Sequence, residues 1–189
     1  MQPIETPDDP IASTQRWLQH AVIGLNLCPF AKAVVARQQV RFVLSDATTP
    51  EALLEDLGNE LVLLRDAPAV QIDTTLLIHP QVLTDFFDYN DFLDDADALV
   101  EALVLDGVLQ VASFHPRYQF ADSAPDDIEN FSNRSPYPML HLLREDSVAR
   151  AVEAFPDADA IVERNKVTLR KLGREGWQRL LDGQTPEVP

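Results

Sequence analysis

VRFVLSDATTPEALLEDLGNELVLLRDAPAVQIDTTLLIHP, residues 40–80, reads as a strand, a helix and a second strand. Val40–Leu44 alternates well enough for a strand. Thr49-Pro50-Glu51 opens a helix: a hydroxyl cap, a proline in the first turn and an acid near the positive end. Leu53, Leu57, Leu61 and Leu64 follow at helical spacing and mark its buried face. Thr74–Ile78 is a short apolar run closed by His79-Pro80. Two strands around one helix predict a parallel pair joined by a crossover.

The pattern continues downstream. Residues 84–105 form a long amphipathic helix with Phe86, Tyr89, Leu93, Ala96, Val100 and Leu103 on its buried side, stopped by Asp106-Gly107. Val108–Phe114 is a third strand. The β-α-β-α-β order predicts an α/β fold, or a closely related α+β fold, with a small, mostly parallel sheet and N- and C-terminal helices packed around it. Upstream, a helix runs from Ser13 to Gly24, capped by Ser13 or Thr14, with Trp17, Leu18, Ala21, Val22 and Leu25 as its apolar stripe. Pro29 opens a second helix to Gln38. Residues 115–135 are irregular, but Tyr118, Phe120 and Phe131 argue against disorder. Helices follow at 136–154, 158–172 and 174–182. One globular domain over 13–182 is therefore expected between flexible tails at 1–12 and 183–189.

Composition narrows the function. Of 189 residues, 46% are hydrophobic and 24% charged, which supports a folded core. Fifteen basic residues face 31 acids, a net charge of −16, so phosphate backbones and anionic lipid attract the chain poorly. Neither a nucleic-acid nor a membrane partner is expected. The N-terminus MQPIETPDDP is acidic where a signal peptide is basic, and the lone Cys28 cannot form an internal disulfide. A reducing cytoplasm fits. Walker, GxGxxG and GxSxG loops are absent, and six glycines leave no nucleotide cradle.

Three places could carry chemistry. The second and third strands both end in His-Pro, at His79 and His115, with Ser45 and Asp46 ending the first. Parallel strands would put all four at the carboxyl edge where α/β proteins bind ligands. The alternative, imidazoles satisfied by nearby carbonyls, is favoured for His79 and stays open for His115. NRSPYPMLHLLRE, residues 133–145, reads as a helix start at Ser135, with Tyr137, His141 and Arg144 on one face and Arg134 near the helix N-terminus. Two arginines and a histidine in so acidic a chain point to an anion pocket, with Asn133, Tyr118 and Tyr137 as further binding groups. The competing reading pairs the arginines with Glu145, Asp146 or the acids at 126–129. Cys28, before Pro29 and four residues from Lys32, is a candidate thiolate at a helix N-terminus, or else a small buried hydrophobe. No metal site is assigned, because ligand spacings are lacking and the acids between Asp85 and Glu101 follow a solvated helix face.

TQRWLQHAVIGLNLCPFAK (14–32), SFHPRYQF (113–120) and NRSPYPMLHLLRE (133–145) together resemble the domain of unknown function 1415 family, over about residues 13–173. The resemblance implies a bacterial protein and transfers no activity, substrate or cofactor; the cofactor stays unknown. The residues themselves suggest a small enzyme for a phosphate- or carboxylate-bearing molecule. Arg134 and Arg144 would hold the anion, His115 or His141 would move protons, and Cys28 would be the nucleophile. The alternatives are a non-catalytic anion-binding or protein-interaction module, and a metal- or redox-dependent protein using the histidines and Cys28. Convergence of Cys28, His115, Arg134, His141 and Arg144 on one pocket would favour the enzyme.

Overall fold

A computed structural model of the chain describes residues 9–154 and 158–183. Helix α1 (Pro10–Trp17) begins before the expected cap at Ser13, because Asp9 accepts the Ile11 N–H at 3.0 Å and Pro10 occupies the first turn. Residues 10–12 of the expected tail are thus helical; residues 1–8 and 184–189 lie outside the described residues. The helix continues as a π-helical segment, Leu18–Ile23, and the predicted stripe of Trp17, Leu18, Ala21, Val22 and Leu25 is buried. Helix α2 is only Ala31–Ala36, shorter than the expected Pro29–Gln38 and without a side-chain cap.

The unit read from 40–80 forms. Strand β1 (Val40–Leu44) leads through α3 (Pro50–Asp66) to β2 (Thr74–Ile78), and the two strands pair in parallel with Val40 opposite Thr74. Thr49 caps α3 through the Ala52 N–H, and Leu53, Leu57, Leu61 and Leu64 are buried. Helix α4 (Phe86–Ala102) follows, capped by Asp85, and β3 (Leu109–Phe114) joins the same sheet. Phe92 is buried on α4, while the predicted Leu93 and Leu103 are half-buried.

The expectation that fails is the helix at 136–154. A 3-10 turn, Ile128–Asn133, precedes a fourth strand, β4 (Met139–Arg144); only the remainder is helical, as α5 (Glu145–Ala154). The sheet order is β1-β2-β4-β3, and β4 is antiparallel to both neighbours. Strands β1, β2 and β3 do share a direction, yet β4 separates β2 from β3. The sheet is therefore mixed and mostly antiparallel rather than mostly parallel, and the fold is α+β. The misreading has a physical cause. A central strand buried on both faces shows no alternation, so Met139-Leu140-His141-Leu142-Leu143 has the apolar run of a buried helix. Pro138 stands just outside the strand, where its missing N–H breaks no ladder bond.

Two cores lie on the two sheet faces. Helices α3 and α4 cover Leu77, Leu109, Leu140 and Leu142; the N-terminal helices and α6 (Ala158–Leu181) cover Leu76, Ile78 and Met139. Gly173, at φ 65° and ψ 175°, breaks α6 where two helices were expected to meet.

Arg144 ties the end of β4 to the first layer. Its guanidinium donates to the carbonyls of Leu64 (2.6 Å), Ala67 (2.7 Å) and Ile72 (3.0 Å), closing the C-terminus of α3 and the turn into β2. Arg144→Ala should therefore lose roughly 2–3 kcal/mol and lower Tm by about 5–10 °C in a thermal melt. A loss below 1 °C would show that water replaces these bonds freely.

Candidate functional site

The second sheet face is incompletely covered. An apolar cavity of about 370 Å3 lies there, floored by Thr74, Leu76, Ala112, Phe114 and His141 and walled by Trp17, Leu18 and Val22. Val34 and Val35 of α2 and Val148, Ala151 and Val152 of α5 complete it. Its existence follows from α5, which carries this apolar stripe yet buries none of its residues. Asp73 is the one carboxylate on the wall among the described residues, and it already accepts the Ser147 hydroxyl at 2.6 Å. A second cavity, about 640 Å3, shares Val22, Cys28 and Phe114 with the first and adds polar groups: Ser132, Asn133, Asn165, Lys166 and Glu129.

His141 occupies the floor. Thr74 Oγ1 donates its proton to the Leu142 carbonyl at 2.6 Å, so the 2.8 Å contact to His141 must be Nε2–H donating to that hydroxyl. Nδ1 is then a lone pair, and no hydrogen bond to it is made among the described residues. Burial lowers the imidazole pKa from 6.5 to about 4, so it is neutral at physiological pH.

The other two strand-end histidines sit elsewhere. His79 and His115 are both at the expected carboxyl edge, but enclosed, with no exposed surface. His79 stacks on Tyr89 (centroids 5.8 Å, 17°), and the Tyr89 and His115 centroids are 5.0 Å apart. His79 Nδ1–H donates to the Val82 carbonyl at 3.0 Å, which leaves Nε2 buried without a partner among the described residues. In His115, Nδ1 accepts the Arg117 N–H at 3.0 Å, so Nε2–H donates to the Leu83 carbonyl at 3.2 Å. Desolvation is the main cause that holds each near a pKa of about 4; their neighbours Val82 and Leu83 oppose it only in part. Ser45 N–H donates to the Ile78 carbonyl beside His79 at 2.8 Å, but its Oγ donates to Asp56 at 2.6 Å, while Asp46 is exposed.

The predicted anion pocket does not assemble. Its helix N-terminus at Ser135 is absent, since 139–144 is a strand, and a strand alternates side chains where a helix would have grouped Tyr137, His141 and Arg144. Arg144 faces the α3 terminus. Arg134 donates to the Tyr118 (3.2 Å) and Pro125 (2.6 Å) carbonyls and covers the Phe131 ring at 4.4 Å. Tyr118 packs on Phe86 and Phe120. Lys32 is exposed on α2, and Cys28 lies three residues before that six-residue helix rather than at its first turn. Thus the structure brings Cys28 and His141 to one cavity and Cys28 and Asn133 to the other; His115, Arg134 and Arg144 lie apart from both.

Sequence reasoning missed two residues. Trp17, read as core, also walls the cavity with a buried indole N–H lacking any partner. Asn130, unremarked, orders the 115–135 loop: it accepts from Phe120 N–H and Ser123 Oγ and donates to the Ala124 carbonyl. No signal in the sequence marks the first; the second had one, an Asn inside a turn-rich segment.

Among the described residues, no helix is long and apolar enough to cross a membrane, and no group of three His, Cys, Asp or Glu is placed to hold a metal. Fold and cavities define an α+β protein with a mixed four-stranded sheet and an apolar recess on one sheet face. The chain belongs to the family described as protein of unknown function (DUF1415), whose model matches residues 9–179. No curated protein and no solved structure matches the chain.

The three depressed imidazoles fix a pH response. Unfolding exposes groups of ordinary pKa near 6.5, so between pH 6.5 and 4 the unfolded state binds more protons and stability falls as pH falls. Melts should show Tm steady above pH 7 and declining from 6.5 to 5, before most carboxylates titrate. A flat Tm across that interval would contradict the buried neutral state.

Proposed function

We propose that the protein binds a small, largely apolar molecule in the 370 Å3 recess. The observation that carries this reading is the recess itself: its sheet and helix walls are largely apolar, with Asp73, Thr74, Gln110, His141 and Ser147 as polar side chains among them. Its size falls within the usual range for ligand sites of about 300–1,000 Å3. Apolar walls alone supply the driving force, while one or two polar groups orient the ligand.

The anionic substrate expected from the sequence finds less support. Arg134 and Arg144 are engaged by backbone carbonyls, and Lys166 pairs with Glu163 at 2.8 Å. A catalytic version of the same site is favoured by one observation, that Cys28 lines both cavities and His141 one of them. Ligand binding is the reading both versions need.

N-phenyl-1-naphthylamine, a neutral apolar dye, tests it. Its fluorescence should rise saturably at one site per chain, and Ala112→Leu, which fills the floor, should abolish the rise while a melt shows the fold retained. Bound dye should also slow iodoacetamide alkylation of Cys28. Absence of saturable binding to the wild-type protein overturns the proposal.

A further inference from the structure

We infer that the recess takes a ligand carrying a hydroxyl on an apolar body, its O–H donated to Nδ1 of His141. The inference rests on the binding site just proposed and names the polar group its ligand bears. His141 belongs to the central strand, flanked by Leu76 on β2 and Ala112 on β3. Both neighbours also line the recess, so the half-buried imidazole rises between them and its accessible surface opens into that space. The two ring nitrogens differ. Nε2–H is spent on Thr74, whose own proton goes to the Leu142 carbonyl, and that chain fixes the tautomer. Nδ1 receives no hydrogen bond among the described residues. It is nevertheless not one of their enclosed polar atoms without a partner, which are Trp17 Nε1, Thr75 Oγ1, His79 Nε2 and Asn165 Oδ1. An unpartnered nitrogen that is not enclosed keeps accessible surface, and on this floor that surface faces the recess.

The other polar side chains of the wall leave that acceptor decisive. Thr74 Oγ1 both donates and accepts already. Ser147 donates to Asp73 at 2.6 Å and accepts from Arg150 at 2.9 Å; Arg150 is exposed and does not line the recess. Asp73 keeps a second carboxylate oxygen, which can only accept, and Cys28 adds a weak thiol donor. Gln110 makes no side-chain hydrogen bond among the described residues. It lies on the edge strand β3 opposite Leu143, and its amide offers donor and acceptor alike, so it suits many polar groups and selects none. Strong free acceptors therefore outnumber strong free donors on this wall. A ketone, ether or carboxylate leaves Nδ1 unmet, and a carboxylate also faces Asp73. A hydroxyl meets Nδ1 and extends one chain from ligand to His141, Thr74 and the Leu142 carbonyl, in which each bond polarises the next.

A matched pair of ligands separates the two claims. 4-Butylphenol and 4-butyltoluene share a shape and differ by a hydroxyl in place of a methyl. Each is titrated against the full chain by displacement of the dye, in the wild type, in His141→Phe and in Gln110→Met. The phenol's affinity relative to the toluene's should fall about fivefold in His141→Phe, the weight of one neutral hydrogen bond, and hold in Gln110→Met. Long-range 15N–1H correlation of the wild-type imidazoles, with His141 assigned through its side-chain carbons, should show the Nε2–H tautomer. Its Nδ1 signal should move upfield with the phenol alone. An Nδ1 signal that the phenol leaves in place, while both compounds displace the dye, overturns the hydroxyl assignment and leaves the apolar site standing. A ratio that falls in Gln110→Met and holds in His141→Phe gives the hydroxyl to Gln110 and overturns it as well. Failure of both compounds and of the dye to bind overturns the site and the inference together. The wild-type spectrum decides even if His141→Phe does not fold.

Discussion

Strand β4 is the member on which both layers hang. It enters antiparallel between β2 and β3, so five of its six residues, Met139 to Leu143, have a strand on each side. Leu140 and Leu142 point into the layer under α3 and α4, while Met139 and His141 point toward the N-terminal helices and α6. A one-residue slip would exchange those sets and bury Arg144 under the wrong layer. Both ends of the strand are fixed against that slip. At one, Arg144 grips the carbonyls where α3 ends; at the other, the Pro138 carbonyl accepts the His79 N–H at 3.0 Å. Tyr89, reaching across from α4, donates its hydroxyl to the Met139 carbonyl and accepts the Phe114 N–H. One buried phenol thus locks β3, β4 and α4 at a single point, and burial raises its pKa far out of reach.

Three histidines end up neutral by two different routes. His141 lies on the second sheet face, where desolvation opposes its charge, and Thr74 takes its one N–H. His79 and His115 sit where β2 and β3 turn away, His79 stacked on Tyr89 and His115 tilted against it, each giving one N–H to a carbonyl of the 82–83 turn. Leu83 itself adopts φ 54°, a left-handed conformation rare for leucine, and its carbonyl meets His115. The imidazoles therefore act as short, neutral linkers between strand ends and loop. Protonating any of them sets a charge against desolvation by burial, which Asp85 partly offsets at His115.

Residues 40–80 were legible because each element is punctuated: Thr49-Pro50 starts α3, and His79-Pro80 ends β2. The three strands with a common direction, the leucine face of α3 and the break at Gly173 could all be read from local pattern. β4 could not. Buried on both faces, it lacks the alternation that marks a strand, and the prolines before it imitate a helix start. That one misreading carried the site with it, because the anion pocket depended on helical spacing between Tyr137, His141 and Arg144. The arginines, read as anion-holding or else as paired with nearby acids, donate to carbonyls that close a helix and a loop, which no sequence pattern announces. The recess was invisible for a different reason. It forms from what α5 fails to bury, and a missing contact leaves no trace in composition.

The π-helical segment Leu18–Ile23 shapes the wall opposite the sheet. Its wider turn shows in bonds from Gly24 N–H to Gln19 O (3.1 Å) and from Leu27 N–H to Val22 O (2.9 Å), five residues apart in each case. Gly24 permits the exit from it, since a Cβ there would collide with the His20 carbonyl. Leu18 and Val22 face the recess from this segment, and Cys28 follows on the loop it delivers. Segments of this kind are uncommon and tend to occur at functional sites. The widened turn thus leads into the recess wall, with Leu18 and Val22 on it beside Trp17 and with Cys28 on the loop that follows.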